Sequence, residues 1–268
     1  MDSCSVIIVN FNTGELLRQS VDAALSNTSI KELIVVDNNS TDESMRLLQD
    51  DQRLQKLYRN KNHGFSSSCN YAAQVAKSDI LVFLNPDCII KSSTISDLQT
   101  TLGDDENAAI IGCLVNNPDG TEQRASRRRL PTLWRAIKTF SHLEKLAKFC
   151  HCFTGVNLNH QPMMRNVTKV EAISGAFIMI KTHVFNKIKG FDEKFPLHFE
   201  DIDLFKRTQN AGYDILFDSQ VSVTHYQGTS SKSNPKVAEF KRIGRQRYFK
   251  KHGSKFSNLV IKLLTKIV

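Results

Sequence analysis

Four places in the sequence carry side chains suited to chemistry on a phosphate- or hydroxyl-bearing ligand. Glu200, Asp201 and Asp203 form a tight acidic cluster behind the apolar run Phe195-Pro196-Leu197-His198-Phe199. A carboxylate held near the core by such a turn is poised to take a proton. Acidic residues opening a helix are also stabilised by its dipole, and that plainer explanation weighs equally. On a helix starting near Asp201, Glu200 and Asp203 lie on different azimuths, so the three carboxylates cannot all face one point. Asp87 follows the apolar run Ile80 to Leu84 in Asn85-Pro86-Asp87. A lone carboxylate there can hold a divalent cation that carries a diphosphate, because hard cations take oxygen ligands; it is also a normal turn residue. Asp37, after Leu33 to Val36, can accept a hydrogen bond from a nucleobase or a ribose hydroxyl, though Asp-Asn-Asn-Ser is also good turn sequence. His225 in Thr224-His225-Tyr226 is most simply structural. It gains a role only beside Asp87, where an imidazole would complete a metal–diphosphate site.

The elements that must position these groups alternate in type. Val6 to Asn10 and Leu33 to Val36 are short, β-branched apolar runs of the kind buried on both faces of a parallel sheet. Leu16 to Leu25 carries apolar residues at helical spacing, and a further helix is expected through Met45, Leu47 and Leu48. A short strand near Leu57-Tyr58, a loop at Asn62-His63-Gly64, a helix from Ser66 to about Ala76 and the strand Ile80 to Leu84 follow. This order predicts right-handed crossovers and a largely parallel α/β sheet. Ligands of such sheets sit beyond the carboxyl ends of the strands. Three strands end in polar residues there: Asn10 and Asn12, Asp37, and Asp87. In the second half, Val170 to Ile180 is strand-like around Ser174-Gly175-Ala176. Helices are expected at Thr182 to Lys187 and Asp201 to Asn210, the latter closed by Ala211-Gly212. Two strands are expected at Asp214 to Phe217 and Val221 to His225, then basic helical sequence. With no repeats and no low-complexity linker, the simplest division is a domain over 1–230 and a basic helical extension over 231–268.

The ordered set of motifs resembles family 2 glycosyltransferases of the GT-A fold, particularly their rhamnosyltransferase-like branch. The matching pieces are Val6-Ile7-Ile8-Val9-Asn10-Phe11-Asn12, Val36-Asp37-Asn38-Asn39-Ser40-Thr41-Asp42, Asn60-Lys61-Asn62-His63-Gly64-Phe65 and Leu84-Asn85-Pro86-Asp87. Gly175-Ala176-Phe177, Gly190-Phe191-Asp192-Glu193, Phe199-Glu200-Asp201-Ile202-Asp203 and His225-x-x-Gly228-x-Ser230 complete it. The resemblance implies a Rossmann-like, mostly parallel sheet with helices on both faces. It implies that Asp201 is the general base with Glu200 beside it, and that Asp37 contacts the donor's base. Asn62 and Gly64 resemble the loop lying against the donor, and Asn10, Asn12 and Asn85 join them as donor-binding candidates. Asp87 matches the last carboxylate of the family's D-x-D motif and His225 the later histidine, which implies Mg2+ or Mn2+. Asn85 stands where the first Asp of D-x-D would be, leaving one carboxylate. The implied reaction is an inverting transfer from a nucleotide-diphosphate sugar to a glycan or lipid-diphosphate-linked acceptor in cell-surface polysaccharide synthesis. dTDP-rhamnose is the first candidate donor and a UDP-sugar the second.

Bulk properties bound the alternatives. The net charge of +9 favours anionic partners. An anionic membrane surface is one such candidate, with Leu133, Trp134 and Ile137 of the basic Arg124 to Phe149 stretch dipping in. Nucleic acid is not expected, since no finger, RRM signature or recognition helix is present. There is no G-x-G-x-x-G and no P-loop after the first strand. A sugar nucleotidyltransferase is the alternative enzyme, but its glycine-rich basic loop is missing at Asn10-Phe11-Asn12-Thr13-Gly14. A non-enzymatic anion-binding protein is the alternative outside enzymes. Six scattered cysteines without C-x-x-C spacing suit reduced thiols. With no leader-like start and no apolar run of about 20 residues, the expected location is the cytoplasm, peripheral on the inner face of the membrane at most.

Overall fold

The computed structural model describes residues 4–141, 143, 146, 149–226 and 235–267. Gly228 and Ser230 of the last motif, and the expected division at 230/231, lie outside the described residues. The chain folds as β1 (Cys4–Asn10), α1 (Glu15–Leu25), β2 (Ile30–Asp37), β3 (Leu54–Tyr58), α2 (Phe65–Val75), β4 (Ile80–Leu84), β5 (Cys88–Ile89), α3 (Thr94–Gly103) and β6 (Ala108–Asn116). Then come β7 (Arg127–Arg128), α4 (Leu133–Phe140), β8 (Thr168–Lys169), β9 (Ala172–Ile173), β10 (Phe177–Lys181), α5 (Thr182–Lys187), α6 (Glu200–Asn210), β11 (Asp214–His225), α7 (Pro235–His252) and α8 (Lys255–Ile267).

One sheet of nine strands runs in the order β3-β2-β1-β4-β10-β6-β11-β5, with β8 against β11. The β3-β2-β1-β4 half and the β6–β11 pair are parallel. β10 is inserted antiparallel between β4 and β6. Strand residues alternate between two apolar layers: Val6, Ile8, Leu33 and Val35 pack with α1 and α3 on one face. Ile7, Val9, Ile34 and Val36 pack with α2, α5, α6 and the last two helices on the other. A strand covered on both faces has no polar side to show, which is why these segments read as unbroken apolar runs.

Three local expectations are corrected. Residues 41–50 form turns and no helix. There the Asn12 Oδ1 accepts from the Thr41 and Asp42 amides, and Asp42 Oδ1 accepts from the Ser44 hydroxyl. Such side-chain bonds compete with helical ones; Met45 and Leu48 are still buried in the core. The two strands expected over 214–225 are one strand, β11, whose pairing with β6 shifts register between Asp218 and Ser222. α3 and β6, a central strand, lie where the pattern assigned nothing.

Candidate active site

The polar ends of β1 and β2 meet as expected, but several of their side chains bind one another. Asn10 Nδ2 donates to Asp37 Oδ1 at 3.2 Å and to the Ser44 hydroxyl at 2.7 Å. Asp37 accepts from the Ser40 amide at 3.2 Å. Asn62 Oδ1 accepts from Asn38 Nδ2 and from the Gly64 amide, each at 2.9 Å. Asn10 and Asn12 therefore build the rim that holds Asp37, and Asn38, which sequence reasoning passed over, ties that rim to the Asn62–Gly64 loop.

At the end of β4, Asn85 and Asp87 come together with His225 from β11. His225 Nε2 stands 3.0 Å from Asp87 Oδ1 and 3.1 Å from Asn85 Nδ2. The other ring nitrogen, Nδ1, faces Gln123 Oε1 at 3.0 Å, and Gln123 Nε2 donates to the His225 carbonyl at 2.6 Å. Gln123 thus grips both ring and backbone. With the proton on Nδ1, pointing at Gln123, the Nε2 lone pair is left facing Asp87. A nitrogen and an oxygen lone pair 3.0 Å apart suit one small divalent cation that a diphosphate would share. Among the described residues no group of three or more His, Cys, Asp or Glu is assembled. The protein thus offers Asp87 and His225, and further oxygens would come from phosphate and water.

The acidic cluster sits at the N-terminus of α6, behind two consecutive non-glycine residues in the left-handed region: His198 with φ 65° and Phe199 with φ 70°. Such a pair costs energy and persists only when packing fixes it. The packing is visible. Gly244 of α7 lies so close that a Cβ there would be 2.6 Å from the His198 carbonyl oxygen. Phe199 packs on Tyr248 with ring centroids 6.0 Å apart. Burial, followed by nearby Lys241, holds the His198 imidazole down to about 4, so it is neutral at physiological pH.

The three carboxylates then take different surroundings. Asp201 Oδ2 pairs with the Arg128 guanidinium, which is itself anchored on the Ile173 carbonyl. A Cβ at Gly175 would stand 2.8 Å from the same Oδ2, so any side chain there would push the Asp201 carboxylate from its place. Glu200 is buried with its Oε2 lacking a hydrogen-bond partner among the described residues. Burial, then the neighbouring Asp201 charge, raises its carboxyl to about 8. At neutral pH Glu200 therefore holds its proton, and Asp201 beside it faces the Arg128 guanidinium. Asp203 points elsewhere. It is fully buried and accepts from Arg207 Nε at 2.7 Å, Lys251 Nζ at 2.8 Å and His252 Nε2 at 2.7 Å. It anchors α7.

A cleft of ≈ 680 Å³ is lined by Asn85, Gln123 and His225 together with Gly175, Glu200 and Asp201, and the Asn85 backbone amide donates to the Ala176 carbonyl at 2.9 Å, which sets the two groups side by side. Arg124, Arg128, Lys241 and Arg245 add a cationic wall. None of these four was singled out from the sequence. The Arg127-Arg128-Arg129 run and the Lys241/Arg245 pair at one helical step were the available signals. The raised Glu200 carboxyl also has a stability consequence. Because its folded value lies above the ordinary one, its contribution is full below about pH 4. That contribution is lost as pH rises through about 8. Glu200→Gln is thus expected to melt several degrees higher than wild type at pH 9 and near wild type at pH 5, read by calorimetry. An equal shift at both values would contradict the buried, unpaired carboxyl.

The family described as Glycosyl transferase family 2 matches residues 5–160. The O-antigen biosynthesis protein RfbC of Myxococcus xanthus is 27% identical over 235 residues, covering 86% of this chain and 18% of RfbC. The chain thus spans less than a fifth of that relative. The N-acetylglucosaminyl-diphospho-decaprenol L-rhamnosyltransferase of Mycobacterium tuberculosis is 24% identical, covering 87% of this chain and 79% of the relative. Among solved structures, GalNAc-T7 with UDP, GalNAc and Mn2+ superposes with a TM-score of 0.65 at 15% identity. That superposition covers 99% of this chain and 54% of the other. Likeness at that identity speaks for the fold alone.

Proposed function

The chain belongs to glycosyl transferase family 2, and from that membership we propose that it moves a sugar from a nucleotide-diphosphate donor to a hydroxyl of a glycan or lipid-diphosphate-linked acceptor, with inversion. The observation that carries this reading is the cleft that Asn85 and His225 line together with Glu200 and Asp201. The first pair belongs where a leaving diphosphate must sit, the second where an acceptor hydroxyl must lose its proton. In this reading residues 1–230 are the transferase domain and 231–268 a basic helical extension that closes its acceptor side.

Asp37 and the Asn62–Gly64 loop receive the nucleoside at the strand ends. Asp87 and His225, the latter oriented by Gln123, hold Mg2+ or Mn2+ when it is bound; the cation supplies charge neutralisation to the diphosphate. Asp201, aimed by Arg128 and Gly175, takes the proton of the acceptor hydroxyl as that oxygen attacks the anomeric carbon opposite the nucleotide. Protonated Glu200 adds no second negative charge beside the base and can donate a hydrogen bond to the acceptor. dTDP-rhamnose is the first donor to try and a UDP-sugar the second. A rhamnosyltransferase acting on a diphospho-decaprenol acceptor among the relatives supports the first and supports a lipid-linked acceptor. The product would enter cell-surface polysaccharide synthesis at the inner face of the membrane.

A panel of nucleotide sugars, scored by thermal stabilisation and by donor hydrolysis with and without Mn2+, tests this. One donor is expected to raise the melting temperature, more so with Mn2+, and Asp87→Ala is expected to abolish the increment due to the metal. Failure of every nucleotide sugar to bind would sink the proposal, and an increment retained by Asp87→Ala would displace the metal from Asp87.

A further inference from the structure

The positive charge of this protein is not spread over its surface. After Glu239 the remaining 29 residues hold nine Lys or Arg and no Asp or Glu, so they account for the whole net charge of +9. The preceding 27 cations are matched by 27 acids. This segment forms most of α7 and all of α8.

α8 is amphipathic in an unusual sense. Ser257 and Ile261, one turn apart, are buried against the protein, while Phe256, Leu259 and Leu263 are 68%, 57% and 54% exposed. At about 100° per residue these three share one face, with Lys255 and Lys262 along its edge. α4 repeats the pattern: Ala136 is buried and Trp134 is 71% exposed, and Leu143, Leu146 and Phe149 beyond it are also exposed. Leu133, next to Trp134, and Ser257, next to Phe256, line one groove of ≈ 450 Å³ between the two helices. Pro131 and Phe249 line both this groove and the catalytic cleft. Trp134 thus follows, and Phe256 precedes, a lining residue of this groove, which shares Pro131 and Phe249 with the cleft that Glu200 and Asp201 line.

We propose that α4 and α8 form a seat for an anionic bilayer surface, with Trp134, Phe256, Leu259 and Leu263 entering the headgroup layer and the exposed Lys250, Lys255 and Lys262 meeting acidic lipid. Among the described residues no helix is long and apolar enough to cross a membrane, so the contact is interfacial. Cations with Trp134 and Phe256 would also suit a nucleic acid, whose bases stack on aromatic rings, but a nucleic acid offers nothing to the exposed Leu259 and Leu263 side chains. A second copy docked through the same face would bring two strongly cationic surfaces together. Apolar anchors edged by lysine are what an acidic headgroup layer matches on both counts. Seated this way, the groove lies between the bilayer and the cleft, and a lipid-linked acceptor would reach Asp201 past Pro131 and Phe249. That last consequence rests on the function proposed above; the seat itself does not.

Sedimentation with phosphatidylcholine vesicles, with and without phosphatidylglycerol, tests the seat. The wild type is expected to sediment with the anionic vesicles, stay in solution with the neutral ones, and be released by high salt. The double substitution Leu259→Glu/Leu263→Glu, and separately Trp134→Ser, are expected to lower the bound fraction at least about tenfold. Both should leave the melting temperature and transfer to a water-soluble acceptor unchanged. Wild-type protein that stays in solution with anionic vesicles would overturn the seat. So would variants that bind as well as wild type, since charge alone would then govern, as for any polyanion. A change in oligomeric state on substituting Leu259 and Leu263 would overturn it in favour of a second copy. Vesicle binding by protein that transfers no sugar would uphold the seat while removing the transferase reading, so the two fail separately.

Discussion

Asp201→Asn is expected to lower kcat by about 10²–10⁴-fold, the usual worth of a positioned general base, while donor affinity stays near that of wild type. The substitution keeps the size of the side chain, so neither the Gly175 contact nor the turn at His198 and Phe199 need move. It removes the proton acceptor and the negative charge opposite Arg128. Donor binding, measured by thermal shift or calorimetry, should be spared because the substitution leaves Asp37, Asp87 and His225 in place. Glu200→Gln should cost far less, since an amide replaces a carboxyl that is already neutral below about pH 8. The reverse outcome, a nearly active Asp201→Asn and an inactive Glu200→Gln, would transfer the role of base to Glu200.

Asp203→Ala is expected to have the largest effect on stability, about 3–5 kcal/mol. The carboxylate is fully buried and is shared by Arg207, Lys251 and His252. Removing it leaves the mostly buried Arg207 without its carboxylate and takes one of two acidic partners from Lys251. On its own, burial would raise the Asp203 carboxyl. Hydrogen bonds from His252 and Lys251, and the charge of Arg207, outweigh it and hold the group below the ordinary range. The stability it contributes is thus present above the unfolded carboxyl value of about 4 and is lost as pH falls below that toward the folded value. Denaturation of Asp203→Ala and wild type should accordingly converge in acid and diverge at neutral pH. Activity should fall along with stability, because Lys251 and His252 hold the helix whose Gly244 packs on the His198 carbonyl. A variant as stable as wild type at pH 7 would show that α7 is held by other means, such as the Asp192 pairs with Arg247 and Lys251.

Much of this protein is legible in its residues taken in order. β1, β2 and β4 announce themselves because both their faces are buried and their runs are uninterrupted. The polar residues that end them mark the ligand side of the sheet, since a parallel sheet exposes its strand ends there. Motif order carried the family and the candidates Asp37, Asp87, Asp201 and His225. Local pattern failed where side chains outcompeted the backbone, as in the turns after Asp37. It also left α3 and β6 unassigned.

Roles within the site were a different matter. By residue type alone Glu200, Asp201 and Asp203 were three acids opening a helix, and only the family resemblance singled out Asp201 as the base with Glu200 beside it. The folded chain gives them three fates: a protonated neighbour, a carboxylate aimed into the cleft, and an anchor for α7. The deciding partners lie far along the chain, Arg128 at 73 residues from Asp201, His252 at 49 from Asp203, and Gln123 at 102 from His225. Periodicity and motif spacing report what a residue's near neighbours do, so they fixed elements and a catalogue of reactive groups. Desolvation and pairing depend on which distant segments the sheet order β4-β10-β6-β11 and the packing of α7 bring together, and those determine which carboxylate can act.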